Sequence, residues 1–113
     1  MVIAFRKDID LGKGKIAAQV AHAAVSCALS SQKHHRKIFH DWIDEGQRKV
    51  VIRVSGIEEL YRLKEKAESA GIQTCLITDA GLTQIPPGTV TCLGMGPDEE
   101  EKLDQITGEY PLL

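Results

Sequence analysis

Residues 50–78 read VVIRVSGIEELYRLKEKAESAGIQTCLIT, and their pattern decides the fold class. Val50–Val54 is a β-branched run, which predicts a strand. Ser55 followed by Glu58 has the form of a capping box, so a helix is expected to begin there and run to Ala70. Ile57, Leu60, Leu63 and Ala67 recur at three- and four-residue spacing and face inward, while Arg62, Lys64 and Glu65 face water. Gly71 is a natural stop, and Ile72–Thr78 is the next strand. A strand, a helix and a strand in so short a span form a crossover unit, which joins parallel strands.

The flanks extend this alternation. Met1–Phe5 reads as a buried strand, and the polar, glycine-bearing stretch 6–14 as a loop. From Lys15 to about Ser31 the pattern is helical, with Ile16, Val20, Ala24 and Cys27 on an apolar face. A second helix is expected over about Lys37 to Glu45, with Ile38, Trp42 and Ile43 inward and Gly46 as its stop. After the third strand, residues 79–88 form a loop with Pro86 and Pro87, and Thr89–Met95 is a fourth strand. Pro97 and Asp98 open a last acidic helix that docks Leu103 and Ile106. The expected fold is α/β: one domain over residues 1–113, a four-stranded, mixed, mostly parallel sheet between two helical layers. The direct link from the third strand to the fourth permits one antiparallel strand.

The net charge is −2, yet residues 1–66 carry 13 of the 14 Lys and Arg against 8 of the 16 acids. A basic first half suits a phosphate-bearing partner; an unevenly charged solvent surface is the plainer alternative. Cys27, Cys75 and Cys92 are odd in number and lack CxxC spacing, which argues against disulfides or a zinc knuckle and fits a cytoplasmic protein. Arg6, Lys7 and Asp8 cut the first apolar run too short for a signal peptide, and no stretch is long enough to span a membrane.

Three places carry candidate chemistry. The turn Gly12-Lys13-Gly14-Lys15 joins a strand to a helix, where free N–H groups and lysines favour an anion. It lacks the spacing of a Walker A loop, and an ordinary connection is the alternative. On the following helix Lys15, Gln19, His22 and Ser26 share one face, either a solvent stripe or a cleft lining. The loop from Asp79 follows a strand, as does the glycine turn, so both can lie at one end of the sheet with Asp79 facing Lys15. A carboxylate and an ammonium in one cleft can divide ester hydrolysis between water activation and oxyanion stabilisation, although a turn-forming Asp is common in such loops. His34, His35 and His40 lack metal-ligand spacing, and Ser26 has no GxSxG context.

These segments together resemble the archaeal and eukaryotic type of peptidyl-tRNA hydrolase. The matching text is Arg6-Lys7-Asp8, residues 12–24 (GKGKIAAQVAHAA), residues 78–84 (TDAGLTQ), Pro87-Gly88-Thr89, residues 91–97 (TCLGMGP) and Ile106-Thr107-Gly108. The resemblance implies hydrolysis of the ester between a peptide and the terminal ribose of tRNA, with no metal or organic cofactor. It implies catalytic positions at Lys15, Asp79 and Thr83, and polar cleft positions at Gln19, His22 and Thr91. The family is often seen as a homodimer. Gly14 belongs to the anion-binding turn, and Lys13, Arg36, Lys37 and Arg48 are candidates to hold tRNA phosphates. A non-catalytic RNA- or protein-binding module and a hydrolase of small acyl esters are the competing readings.

Overall fold

The computed structural model describes residues 1–80 and 85–113. The element order is β1 (Val2–Arg6), α1 (Lys13–His34), α2 (Arg36–Asp44), β2 (Val50–Val54), α3 (Ile57–Ser69), β3 (Thr74–Thr78), β4 (Val90–Met95) and α4 (Glu100–Thr107). Strands line up as β2-β1-β4-β3. β1 pairs with β2 in parallel, and β4 is antiparallel to both β1 and β3. Three strands therefore run one way and β4 alone runs the other. The expectation of a mostly parallel sheet is right for strand direction but loose for pairing. Because the reversed strand lies inside the sheet, only the β1–β2 ladder is parallel.

Alternation along the strands splits the core in two. Val2, Ala4, Ile52, Val54, Leu93 and Met95 pack with Leu60, Leu63 and Ala67 of α3 and Leu103 of α4. Ile3, Phe5, Ile77 and Cys92 pack on the other face with Ala23 and Cys27 of α1 and Trp42 of α2. Along α1 the deepest residues are Gln19, Ala23, Cys27 and Ser31, with Ile16, Val20 and Ala24 half-buried beside them. The expected apolar face is thus correct in its flank, but its centre is small and partly polar.

Close approach explains this. A Cβ added at Gly94 of β4 would lie 2.5 Å from Cys27 Sγ and 3.3 Å from the Ala23 carbonyl oxygen. Glycine on the strand and small residues on the helix let α1 sit low on the sheet.

The two ends of α3 contrast. Gly71, at φ +79°, closes α3 with a Schellman pair: Ile72 N–H to Ala67 O at 2.9 Å and Gly71 N–H to Glu68 O at 3.0 Å. The capping box at Ser55 does not form. The N-cap is Gly56, without a side-chain cap. The space beside Gly56 is taken by Asp8, whose Oδ2 lies 3.3 Å from where a Cβ would stand. At the far edge of the sheet, Arg53 N–H bonds Pro111 O and Leu113 N–H bonds Val51 O, so the C-terminal residues shield the exposed side of β2.

Candidate active site

The topology brings three segments to one end of the sheet: the carboxyl ends of β1 and β3, and the start of the reversed β4. The turn after β1 leads into α1, the chain after β3 begins with Asp79, and Thr91 is the second residue of β4. At their meeting point Lys15 Nζ lies 2.6 Å from Asp79 Oδ1. The Asp79 side chain is 1% exposed and that of Lys15 25%, so the pair is sheltered on the carboxylate side and open on the ammonium side.

Gln19, one turn along α1, donates from Nε2 to Asp79 Oδ1 at 3.2 Å. Its Oε1 accepts from the Thr91 hydroxyl at 2.9 Å. The order of this chain follows from Asp79. An ionised carboxylate only accepts, so the amide must present its NH₂ to Asp79 and its oxygen to Thr91, which must then donate. The chain Thr91 → Gln19 → Asp79, closed by Lys15, fixes the carboxylate from one side. All three of Gln19, Asp79 and Thr91 are buried.

A bulge places Thr91. Ile77 pairs with Cys92 and Thr78 with Val90, so one extra residue, Thr91, stands between them on β4. Strict alternation would put Thr91 on the face opposite Cys92. The bulge breaks alternation and turns the hydroxyl toward α1. Val90 accordingly packs with the α3 core while Cys92 packs with the α1 core. Arg6 pins the start of this strand, donating from Nη1 to Val90 O at 2.9 Å while its other nitrogens grip Asp8. Beside Asp8, Arg6 is held above its ordinary pKa, and Asp8 below its own, by their mutual hydrogen bonds.

Thr91→Val removes the donor that orders Gln19. It is expected to lower kcat about tenfold with little change in KM, and to cost about 1 kcal/mol of stability. Thr91→Ser, which keeps the hydroxyl, is expected to restore both; steady-state kinetics and urea unfolding check this.

Comparison with known proteins shows the family of the chain. The family model described as "Peptidyl-tRNA hydrolase PTH2" matches residues 1–113. A peptidyl-tRNA hydrolase of Thermoplasma acidophilum is 60% identical over 113 residues, covering 100% of this chain and 97% of the relative. One of Thermoplasma volcanium is 59% identical with the same coverage. One of Thermococcus onnurineus is 53% identical over 112 residues, covering 99% of this chain and 95% of the relative.

The chain belongs to the PTH2 family.

In this PTH2 chain the residues expected at the site fall into two groups. Lys15, Gln19, Asp79 and Thr91 are joined in one chain of contacts, with Lys13 and Gly14 exposed beside them in the first turn of α1, which begins at Lys13 and so takes in most of the expected glycine turn. His22 and Ser26 are exposed, so the polar stripe on α1 divides: its first two members turn inward and its last two face out. Thr83 lies outside the described residues. Arg36, Lys37 and Arg48 are at the opposite end of the sheet, about 30 Å away along α1. There Lys37 pairs with Asp41 and Arg48 with Glu100, in a hollow of about 540 Å³ lined also by Trp42, Glu45 and Glu99. Among the described residues no cluster of His, Cys, Asp or Glu could hold a metal ion, and no helix is long and apolar enough to cross a membrane. Sequence reasoning had no place for Arg6 or Cys92 in this PTH2 site. Arg6 braces β4, and Cys92 Sγ donates to the Gln19 main-chain oxygen at 3.5 Å, fixing α1 against the strand.

Proposed function

We propose that this chain hydrolyses the ester joining a peptide, or an N-blocked amino acid, to the terminal ribose of tRNA, and so recycles tRNA from stalled translation. The observation that carries this reading is the Lys15–Asp79 pair, buried on one side and open on the other, in a chain of the PTH2 family.

Asp79 orients and deprotonates a water, directly or through Thr83. The water oxygen attacks the ester carbonyl, whose π electrons move onto the carbonyl oxygen. Lys15 steadies that oxyanion, assisted by the first N–H groups of α1, which no side chain caps. Collapse of the tetrahedral species breaks the bond to the ribose oxygen, which takes the proton that Asp79 drew from the water and leaves with the tRNA. The converse division, with Lys15 as base, uses the same two groups.

The glycines of the turn support contact with a bulky anion. A Cβ at Gly12 or Gly14 would meet nothing within 4 Å, so the protein itself does not require glycine there. What the glycines keep open is the space outside, where a phosphate of the tRNA 3′ end meets the helix start, Lys13 and Gly14. Arg36, Lys37 and Arg48 meet a more distant part of the same tRNA in this reading, with acids competing for two of them. Gly14→Ala is expected to leave Tm unchanged or slightly raised and to increase KM severalfold. Lys13→Ala is expected to increase KM more than Lys37→Ala does, and to flatten the salt dependence of kcat/KM.

The free thiols of Cys27, Cys75 and Cys92 fit work in the cytoplasm. Val25 and Leu29, exposed one turn apart on α1, support a homodimer built on that face. Leu29→Lys is then expected to yield a monomer by light scattering.

Hydrolysis of N-acetyl-aminoacyl-tRNA beside a small ester of the same N-acetyl amino acid tests the function. Cleavage of the tRNA ester alone is expected. Cleavage of both at similar kcat/KM indicates a general small-ester hydrolase, and cleavage of neither a binding module.

A further inference from the structure

Two of the three cysteines flank the close helix–strand contact at Gly94. Cys75 on β3 is the register partner of Gly94 on β4. Opposed side chains in such a pair stand about 5 Å apart at Cβ. The Cys27 sulfur occupies the place over Gly94, 2.5 Å from where that glycine's Cβ would be. The missing side chain of Gly94 thus leaves room for Cys27 to reach across β4 to Cys75. β3 is an edge strand and Cys75 is half-buried, whereas Cys27 is fully buried.

We propose that Cys27 and Cys75 are a disulfide-forming pair, joined by a two-electron oxidant of the peroxide class into a bond that pins α1 to β3. The chemistry suits their unequal exposure. The Cys75 thiolate attacks hydrogen peroxide, forming Cys75–SOH and releasing hydroxide, which takes up the Cys75 proton as water. The Cys27 sulfur then attacks the Cys75 sulfur. The new S–S bond forms as the S–O bond breaks, and the Cys27 proton leaves with the hydroxyl as a second water. Two thiols and one peroxide give one disulfide and two waters. The neighbouring Cys27 thiol holds Cys75 below its ordinary value, and the same pairing, with burial, pushes Cys27 up. Cys75, half-buried on an edge strand, is the attacking thiolate, and the fully buried Cys27 is the resolving thiol. Cys92 has other partners: it is buried, in register with Ile77, and its thiol is engaged by Gln19 O.

The full chain is treated with hydrogen peroxide, unfolded, alkylated with N-ethylmaleimide and weighed before and after non-reducing digestion. Reduced protein takes three maleimides, one for each cysteine. Oxidised protein is expected to take a single maleimide, at Cys92, and to yield one peptide pair linked through Cys27 and Cys75. Its Tm is expected to rise by about 5 °C or more, reversed by dithiothreitol. In Cys27→Ala the resolving thiol is gone, and Cys75 is expected to persist as a sulfenic acid trapped by dimedone. Three maleimides after peroxide, oxygen added to Cys75 in the unaltered protein without a bond, a bond through Cys92 or to a second chain, or a linked protein with unchanged Tm would each overturn the proposal.

Discussion

Asp79→Asn is expected to lower kcat for N-acetyl-aminoacyl-tRNA by a factor of about 10² to 10⁴, with KM altered less than about threefold. That range is the usual contribution of a positioned general base. Asparagine keeps the shape of the side chain, so Gln19 can still donate to its oxygen and the buried wall of the site survives. What disappears is the negative charge 2.6 Å from Lys15. Lys15 is a quarter exposed and can turn to water, so its loss of a partner is tolerable. Alanine would be a poorer probe, because it would leave a gap beside the buried amide of Gln19 as well as removing the charge. KM is expected to hold because Asp79, buried behind Lys15, is not placed to touch a phosphate. Steady-state kinetics with a thermal melt on the same sample separate the two effects. A large fall in kcat at nearly constant Tm is the expected outcome.

Gly94→Ala is expected to destabilise the fold by about 1–3 kcal/mol, a fall in Tm of about 4–12 °C for a chain of this length. The added methyl would lie 2.5 Å from Cys27 Sγ. That sulfur belongs to a short, fully buried side chain, and the Ala23 carbonyl behind it is backbone. Relief requires α1 to lift from β4, which would also loosen the contact between Cys92 and the Gln19 carbonyl. Activity is therefore expected to fall with stability. Adding Cys27→Ala to Gly94→Ala removes the clashing atom and is expected to recover part of the loss, so the two changes should be non-additive in thermal unfolding.

Much of the fold was legible because local rules and tertiary packing agree along most of the chain. The apolar spacing of α3, its glycine stop and the β-branched strands all point the same way. The failures have specific causes. Ser55 has a capping residue's chemistry, but Gly56 takes the N-cap position and the helix starts one residue later than expected. The position of β4 inside the sheet depends on strand pairing across the whole chain, which no local pattern encodes. Within the site, the meeting of Lys15 and Asp79 followed from a general rule about strand ends. The inward turn of Gln19 was left open by its spacing, which suits a solvent stripe or a cleft lining equally, and only the resemblance placed it and Thr91 in the cleft. Thr91 was beyond alternation altogether: only the bulge at Ile77/Thr78 turns it toward α1.

The most direct test of Lys15 and Asp79 as the ester-hydrolysis pair is single-turnover cleavage of N-acetyl-aminoacyl-tRNA under saturating enzyme. The unaltered chain, Lys15→Met, Asp79→Asn and the double variant are compared, each checked for folding by its melt. Groups that act as one unit are expected to fail together. Each single variant should lose at least about a hundredfold in rate, and the double variant should lose little more. Rates within about tenfold of the unaltered chain in both folded single variants would contradict the assignment.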